Sequence, residues 1–157
     1  MKTKTFLNKF SSKGFTLIEL LIVIAILGIM ATAVLVAINP TKKIDQSRDS
    51  NIKSDIAQIS TGLQTFYTTK GTVGTAYYPL TLAELVTAGE LKSVPKYLGT
   101  TDYTYLKTTG CTNVSPLYCT DVSVSYALND ELVAGNVWCW RSATGLAAET
   151  TVALCIP

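Results

Sequence analysis

Between Phe15 and Ile38 the chain runs for 24 residues, FTLIELLIVIAILGIMATAVLVAI, with a single charged side chain, Glu19. As a helix rising about 1.5 Å per residue, this run extends roughly 36 Å, enough to cross a hydrocarbon core of about 30 Å. Everything else is organised around it. Residues 1–14 are basic, residues 15–38 are expected to form a transmembrane helix, and residues 39–157 a head outside the membrane.

Glu19 needs a cause, because a carboxylate at the middle of a membrane helix costs about 2.5 to 3.5 kcal/mol. Its position lowers that cost, since it lies four residues after Phe15, about 6 Å along a helix axis and close to an interface. From Leu20 to Ile38 there are 19 uncharged residues, about 28 Å of helix and nearly a full span. One reading is a carboxylate that snorkels at a helix end, favoured by the positive end of the helix dipole.

A second reading rests on the word around it. Lys13-Gly14, then Phe15, then Thr-Leu-Ile-Glu-Leu-Leu before unbroken aliphatics resembles the type IV pilins and the pseudopilins of type II secretion. The resemblance covers about Lys13 to Leu35, and the remainder is similar in layout alone. It implies cleavage by a prepilin peptidase between Gly14 and Phe15, N-methylation of Phe15, and a Glu19 that neutralises the amino terminus of a neighbouring subunit. A physical argument runs parallel. An amine and a carboxylate in low dielectric each lose several kcal/mol of hydration unless they meet. Two helices offset along an axis can bring them together, so the buried pair would select one stagger.

A cleaved secretory signal competes with this reading, because Ala31-Thr32-Ala33 has the small-x-small form of a signal peptidase site. The apolar run continues through Ile38, however, and holds a glutamate, and both features disfavour a cleaved signal. The net charge of +2 includes the leader, where Lys2, Lys4, Lys9 and Lys13 account for four of the 13 basic residues. The nine that remain face 11 acidic residues, so the basic excess reports a cytoplasmic leader and gives no support for nucleic-acid binding.

Asn39-Pro40 predicts a kink or break after the apolar run. Gly28 and Pro40 are the places where that helix could loosen on assembly, since many family members carry an earlier proline where this chain has Val36. From 41 to 70 the pattern turns amphipathic, with Ile52, Ile56, Ile59, Leu63, Phe66 and Tyr67 at steps of three or four. That stripe requires a covering layer from residues after Gly71. Gly71 to Pro79 reads as a loop, and Thr81 with Glu84 has capping-box spacing for a short helix ending at Gly89. Beyond Pro95 the period becomes two. Tyr103–Tyr105, Val122–Tyr126, Val137–Trp140 and Thr151–Leu154 are strand candidates, with turns at Asn129-Asp130 and Gly135-Asn136. The fold class is therefore α+β: a long N-terminal helix, membrane half plus amphipathic half, packed on a small antiparallel sheet in the ladle form of pilins.

Charged residues make up 15% of the chain and apolar ones 48%, which excludes a disordered chain. Cys111, Cys119, Cys139 and Cys155 form no C-x-x-C pair and there is no histidine, so zinc spacing is absent and the count reads as disulfides in an oxidising compartment. Three pairings are possible. Cys111 with Cys119 and Cys139 with Cys155 are favoured because each closes a local loop.

Without histidine, Ser-His-Asp and Cys-His arrangements are impossible within one chain. No enzyme, metal or cofactor is expected. Asp130 and Glu131 could help bind calcium but read better as a solvated turn, and the tyrosines read as core in preference to a stacking site for a ligand. The resemblance implies a pilus-like filament subunit that forms a homopolymer. It waits in the bacterial cytoplasmic membrane with its N-terminus cytoplasmic, and works with a pilus or type II secretion assembly platform. The alternatives are a periplasmic pseudopilin or, in a different class, a monomeric membrane-anchored binding protein.

Overall fold

The computed structural model describes residues 14–70, 76–112, 114 and 117–157. The leader lysines and most of the loop expected after Lys70 lie outside the described residues. Two units are compact by themselves, residues 1–40 and residues 41–157.

In the first unit, α1 (Leu17–Ile38) is a 22-residue helix with no buried residue. It runs unbroken past Gly28, where an added Cβ would meet nothing within 4 Å. Thr32, its polar residue in mid-span, turns its hydroxyl back to the Ile29 carbonyl at 2.8 Å, which leaves no free donor on an apolar surface. The helix ends at Asn39, which adopts the left-handed conformation (φ +46°). Asparagine tolerates that region better than other side chains, and Pro40 then occupies the first position of the next helix, where its missing N–H costs nothing. The break expected at Asn39-Pro40 is thus present.

α2 (Pro40–Lys70) follows, and in the head it buries Ile52, Ile56, Ile59, Leu63 and Phe66 on one stripe. The covering layer is a four-stranded antiparallel sheet of β1 (Thr104–Lys107), β2 (Val122–Ala127), β3 (Asn136–Arg141) and β4 (Ala147–Thr151), ordered as in the sequence. Val124 lies opposite Tyr105 on one side and Trp140 on the other, and Tyr126 lies opposite Trp138. Val122, Val124, Tyr126, Trp138 and Trp140 join the cluster built on the α2 stripe. Alternation sends Ser123, Ser125 and Cys139 to the opposite face.

That opposite face is covered by the end of the chain. Thr151–Leu154, read from sequence as strand, is corrected: β4 ends at Thr151 and Val152–Leu154 is a 3-10 turn. The turn lets Cys155 come back over the sheet, where it is buried with Val137 and Cys139, and the Ser123 hydroxyl donates to its carbonyl at 3.0 Å. A second correction concerns the short helix α3 (Ala83–Thr87), whose N-cap is Leu82, with no side-chain cap. The Glu84 carboxylate instead reaches back to the Leu80 N–H (3.3 Å), and the Thr81 hydroxyl donates to it at 3.4 Å. The segment between Ser142 and Leu146, which closes β3 to β4 through Gly145 at φ +66°, carried no signal that the sequence reading used.

The tyrosines are engaged with one another and with the core. Tyr67 stacks on Tyr78, Tyr77 on Tyr118, and Tyr126 touches both Tyr97 and Tyr103. The Tyr103 hydroxyl donates to Asp55 on α2. Burial, and then that bond to a carboxylate, holds the phenol well above its usual range.

Candidate functional site

The residues singled out near the N-terminus come together at the start of α1. Gly14, Phe15 and Thr16 precede the helix, and Phe15 is 83% exposed. Thr16 is the N-cap, with extended dihedrals (φ −78°, ψ 150°), so the Gly14–Phe15 peptide bond lies outside the helix. A peptide bond inside a helix has its groups committed to the ladder, whereas one before the cap is free to enter a protease cleft in extended form.

Glu19 is the third residue of α1, and it closes a reciprocal cap with Thr16. The Glu19 N–H donates to Thr16 Oγ1 at 3.3 Å, while Glu19 Oε2 accepts from the Thr16 N–H at 2.9 Å and from the Thr16 hydroxyl at 2.8 Å. This is a capping box, and it satisfies donors that a helix start otherwise leaves open. The snorkelling reading of Glu19 is therefore incomplete, because the carboxylate has a named local partner. Thr16 was missed as a site residue. The signal for it is Thr-x-x-Glu ahead of an apolar run, Thr16-Leu-Ile-Glu19.

Outside this region the structure joins Cys111 to Cys119 and Cys139 to Cys155, with Cα separations of 4.8 and 5.9 Å. The first closes a loop eight residues apart in sequence and the second ties the chain end to β3. These bridges lie in the head.

Asp130 and Glu131 are held as parts of a turn. Asp130 accepts from the Gln46 amide at 2.9 Å and pairs with Lys42 at 3.7 Å, and Glu131 accepts from the Gly135 N–H at 2.9 Å. The residue under that turn is Asp49, which is buried and accepts from the Asn129 N–H (2.7 Å), the Asn129 side-chain amide (2.8 Å) and the Asp130 N–H (2.8 Å). Burial by itself would raise the Asp49 carboxyl, but these bonds and the charge of Lys53 outweigh it and hold the group below the usual carboxylate range. Asp49 stands three residues before Ile52 on the same stripe, and its donors come from residues far along the chain. Among the described residues no group of three or more histidine, cysteine or carboxylate residues is placed to hold a metal ion.

The model of the prokaryotic N-terminal methylation motif matches residues 9–35. That stretch contains the Gly14–Phe15 bond, Thr16, Glu19 and most of α1, and the match supports a type IV pilin-like prepilin with a class III signal peptide. No curated protein and no solved structure matches the chain.

Proposed function

We propose that the chain is the structural subunit of a type IV pilus-like filament, with no catalytic role. A prepilin peptidase removes residues 1–14 by cutting between Gly14 and Phe15, and the amine of Phe15 is then methylated. The observation that carries this reading is the pairing of a methylation motif with a helix that keeps its whole apolar circumference uncovered. Such a surface is stable in lipid, and it is equally served by copies of itself, so moving from membrane to filament core exchanges one apolar environment for another.

Glu19 gives the exchange its register. Its Oε2 is engaged by Thr16 of the same chain, and a carboxylate has two oxygens with several acceptor sites. A neighbouring amino terminus is the cation that can approach it in a water-poor core. One stagger satisfies both charges, and others leave them apart at a cost of several kcal/mol.

The test is N-terminal sequencing and electron microscopy of material sheared from cells that possess the peptidase and an assembly platform. Filaments whose subunits begin at methylated Phe15 are expected. Subunits that keep residues 1–14, or processed subunits that stay single in the envelope, would replace this reading with that of a tethered globule.

A further inference from the structure

The sheet of the head ends on two open edges that differ in charge. β1 pairs with β2 alone and β4 with β3 alone. The Thr108 N–H donates to the Asp121 carbonyl at 3.1 Å, and the Arg141 N–H to the Leu146 carbonyl at 3.4 Å. Antiparallel alternation from these two bonds turns the N–H and C=O groups of Tyr105 and Lys107 outward from β1, and those of Ala147, Glu149 and Thr151 outward from β4. A bare edge of this kind is a template for another strand. Neither strand holds a proline, and each carries one charge, Lys107 on β1 and Glu149 on β4.

Both charges keep capacity for a further partner. Glu149 spends Oε1 on the N–H groups of Leu132 and Val133 (2.7 and 3.4 Å) and on the Asn136 amide (3.3 Å), while those two aliphatic side chains stay 86% and 62% exposed. Among the described residues no hydrogen bond falls on its Oε2. Lys107 gives the Leu80 carbonyl one bond, at 3.2 Å, and an ammonium has three protons to give. The two also share a side of the sheet. Lys107 alternates with Leu106 and so lies on the face of Tyr105, which is opposite Val124, and Glu149 is opposite Trp138, so both belong to the face that covers α2.

We infer that the heads of successive copies join edge to edge, β4 of one against β1 of the next, with Lys107 set opposite Glu149. This rests on the filament reading above. Because each strand of the sheet is antiparallel to its neighbour, β1 and β4 run in opposite directions. A second copy facing the same way therefore brings its β1 to β4 as one more antiparallel strand. The register that pairs Lys107 with Glu149 also pairs Leu106 with Thr150 and Tyr105 with Thr151. Like edges are disfavoured, since β4 on β4 would oppose two Glu149 carboxylates and β1 on β1 two Lys107 ammonium groups. Joining unlike edges leaves one of each open at the ends, so the contact continues from copy to copy and does not close into a dimer. Edges of four and five residues bury too little to hold two heads by themselves. The contact forms where assembly of α1 already brings copies together.

The test replaces Leu106, an exposed residue of β1, with photoreactive p-benzoylphenylalanine in full-length chains co-expressed with the parent chain. Sheared filaments are irradiated, and crosslinked peptides are mapped by mass spectrometry, with isotopically heavy and light subunits mixed to mark links between copies. Within one chain β4 lies three strands from β1, about 14 Å away. Links from position 106 to Ala147–Thr151 of a second copy are expected, and Lys107→Glu should lower their yield about fivefold. Filaments in which position 106 links only to its own chain or to other parts of the neighbour overturn the inference and leave the filament reading standing. A yield that Lys107→Glu does not change also overturns it, since the charge pair would not set the contact. Cells that make the parent chain without filaments overturn the filament reading, and this inference with it.

Discussion

α1 buries none of its residues, whereas α2, which follows it after one intervening residue, buries Asp49 and five large apolar side chains under a sheet. The two helices differ in pattern more than in greasiness alone. α2 confines its apolar groups to one stripe, which one sheet can cover. α1 is apolar on every side, and no single layer of a small head could cover it. A stripe calls for a partner inside the chain, and a full circumference calls for lipid or for other copies. The head therefore carries its own stability, and the N-terminal helix derives its stability from surroundings.

Changes in one region should leave the other untouched, and that separation is where the comparison can be broken. Glu19→Ala should have the largest effect, loss of sheared filaments with the thermal melt of the head unchanged. A melt that shifts along with assembly would mean that the regions are not separable. In the head, Ile56→Ala removes a fully buried side chain from the middle of the stripe, and a loss of about 3 to 4 kcal/mol in denaturant unfolding is expected. Membrane retention should stay normal.

Next in size is the double change Cys139→Ser and Cys155→Ser. Opening this 16-residue loop should lower stability by about 3 kcal/mol in the chain-entropy account, and proteolysis should then begin at the chain end. Asp49→Asn should cost less, about 1 to 2 kcal/mol, because an amide keeps one acceptor for the three donors it faces. It should also change the response to acid. The folded-state value of Asp49 is depressed, so its contribution is complete above the ordinary carboxylate range and is lost as pH falls through the lowered value. The variant should be flatter than the parent over that acidic interval in an unfolding titration. Parallel curves would mean that Asp49 is not the latch beneath the turn.

Pattern was enough to read α1, the break at Asn39-Pro40, the stripe of α2 and the cores of three strands, because periodicity and proline act over a few neighbouring residues. The Thr16–Glu19 cap was spelled out as well, in a four-residue word. Sequence left undecided how particular backbone groups from distant segments meet. Thr151–Leu154 alternates like a strand, yet Cys155 must return to Cys139, so the chain turns there instead. Asp49 sits on an apolar stripe because Asn129 and Asp130, some eighty residues later, bring it donors. The same loop then holds Leu132 and Val133 outward. Local order follows from residues close in the chain, whereas the satisfaction of a buried charge and the exposure of an apolar tip depend on which remote backbone groups arrive beside them.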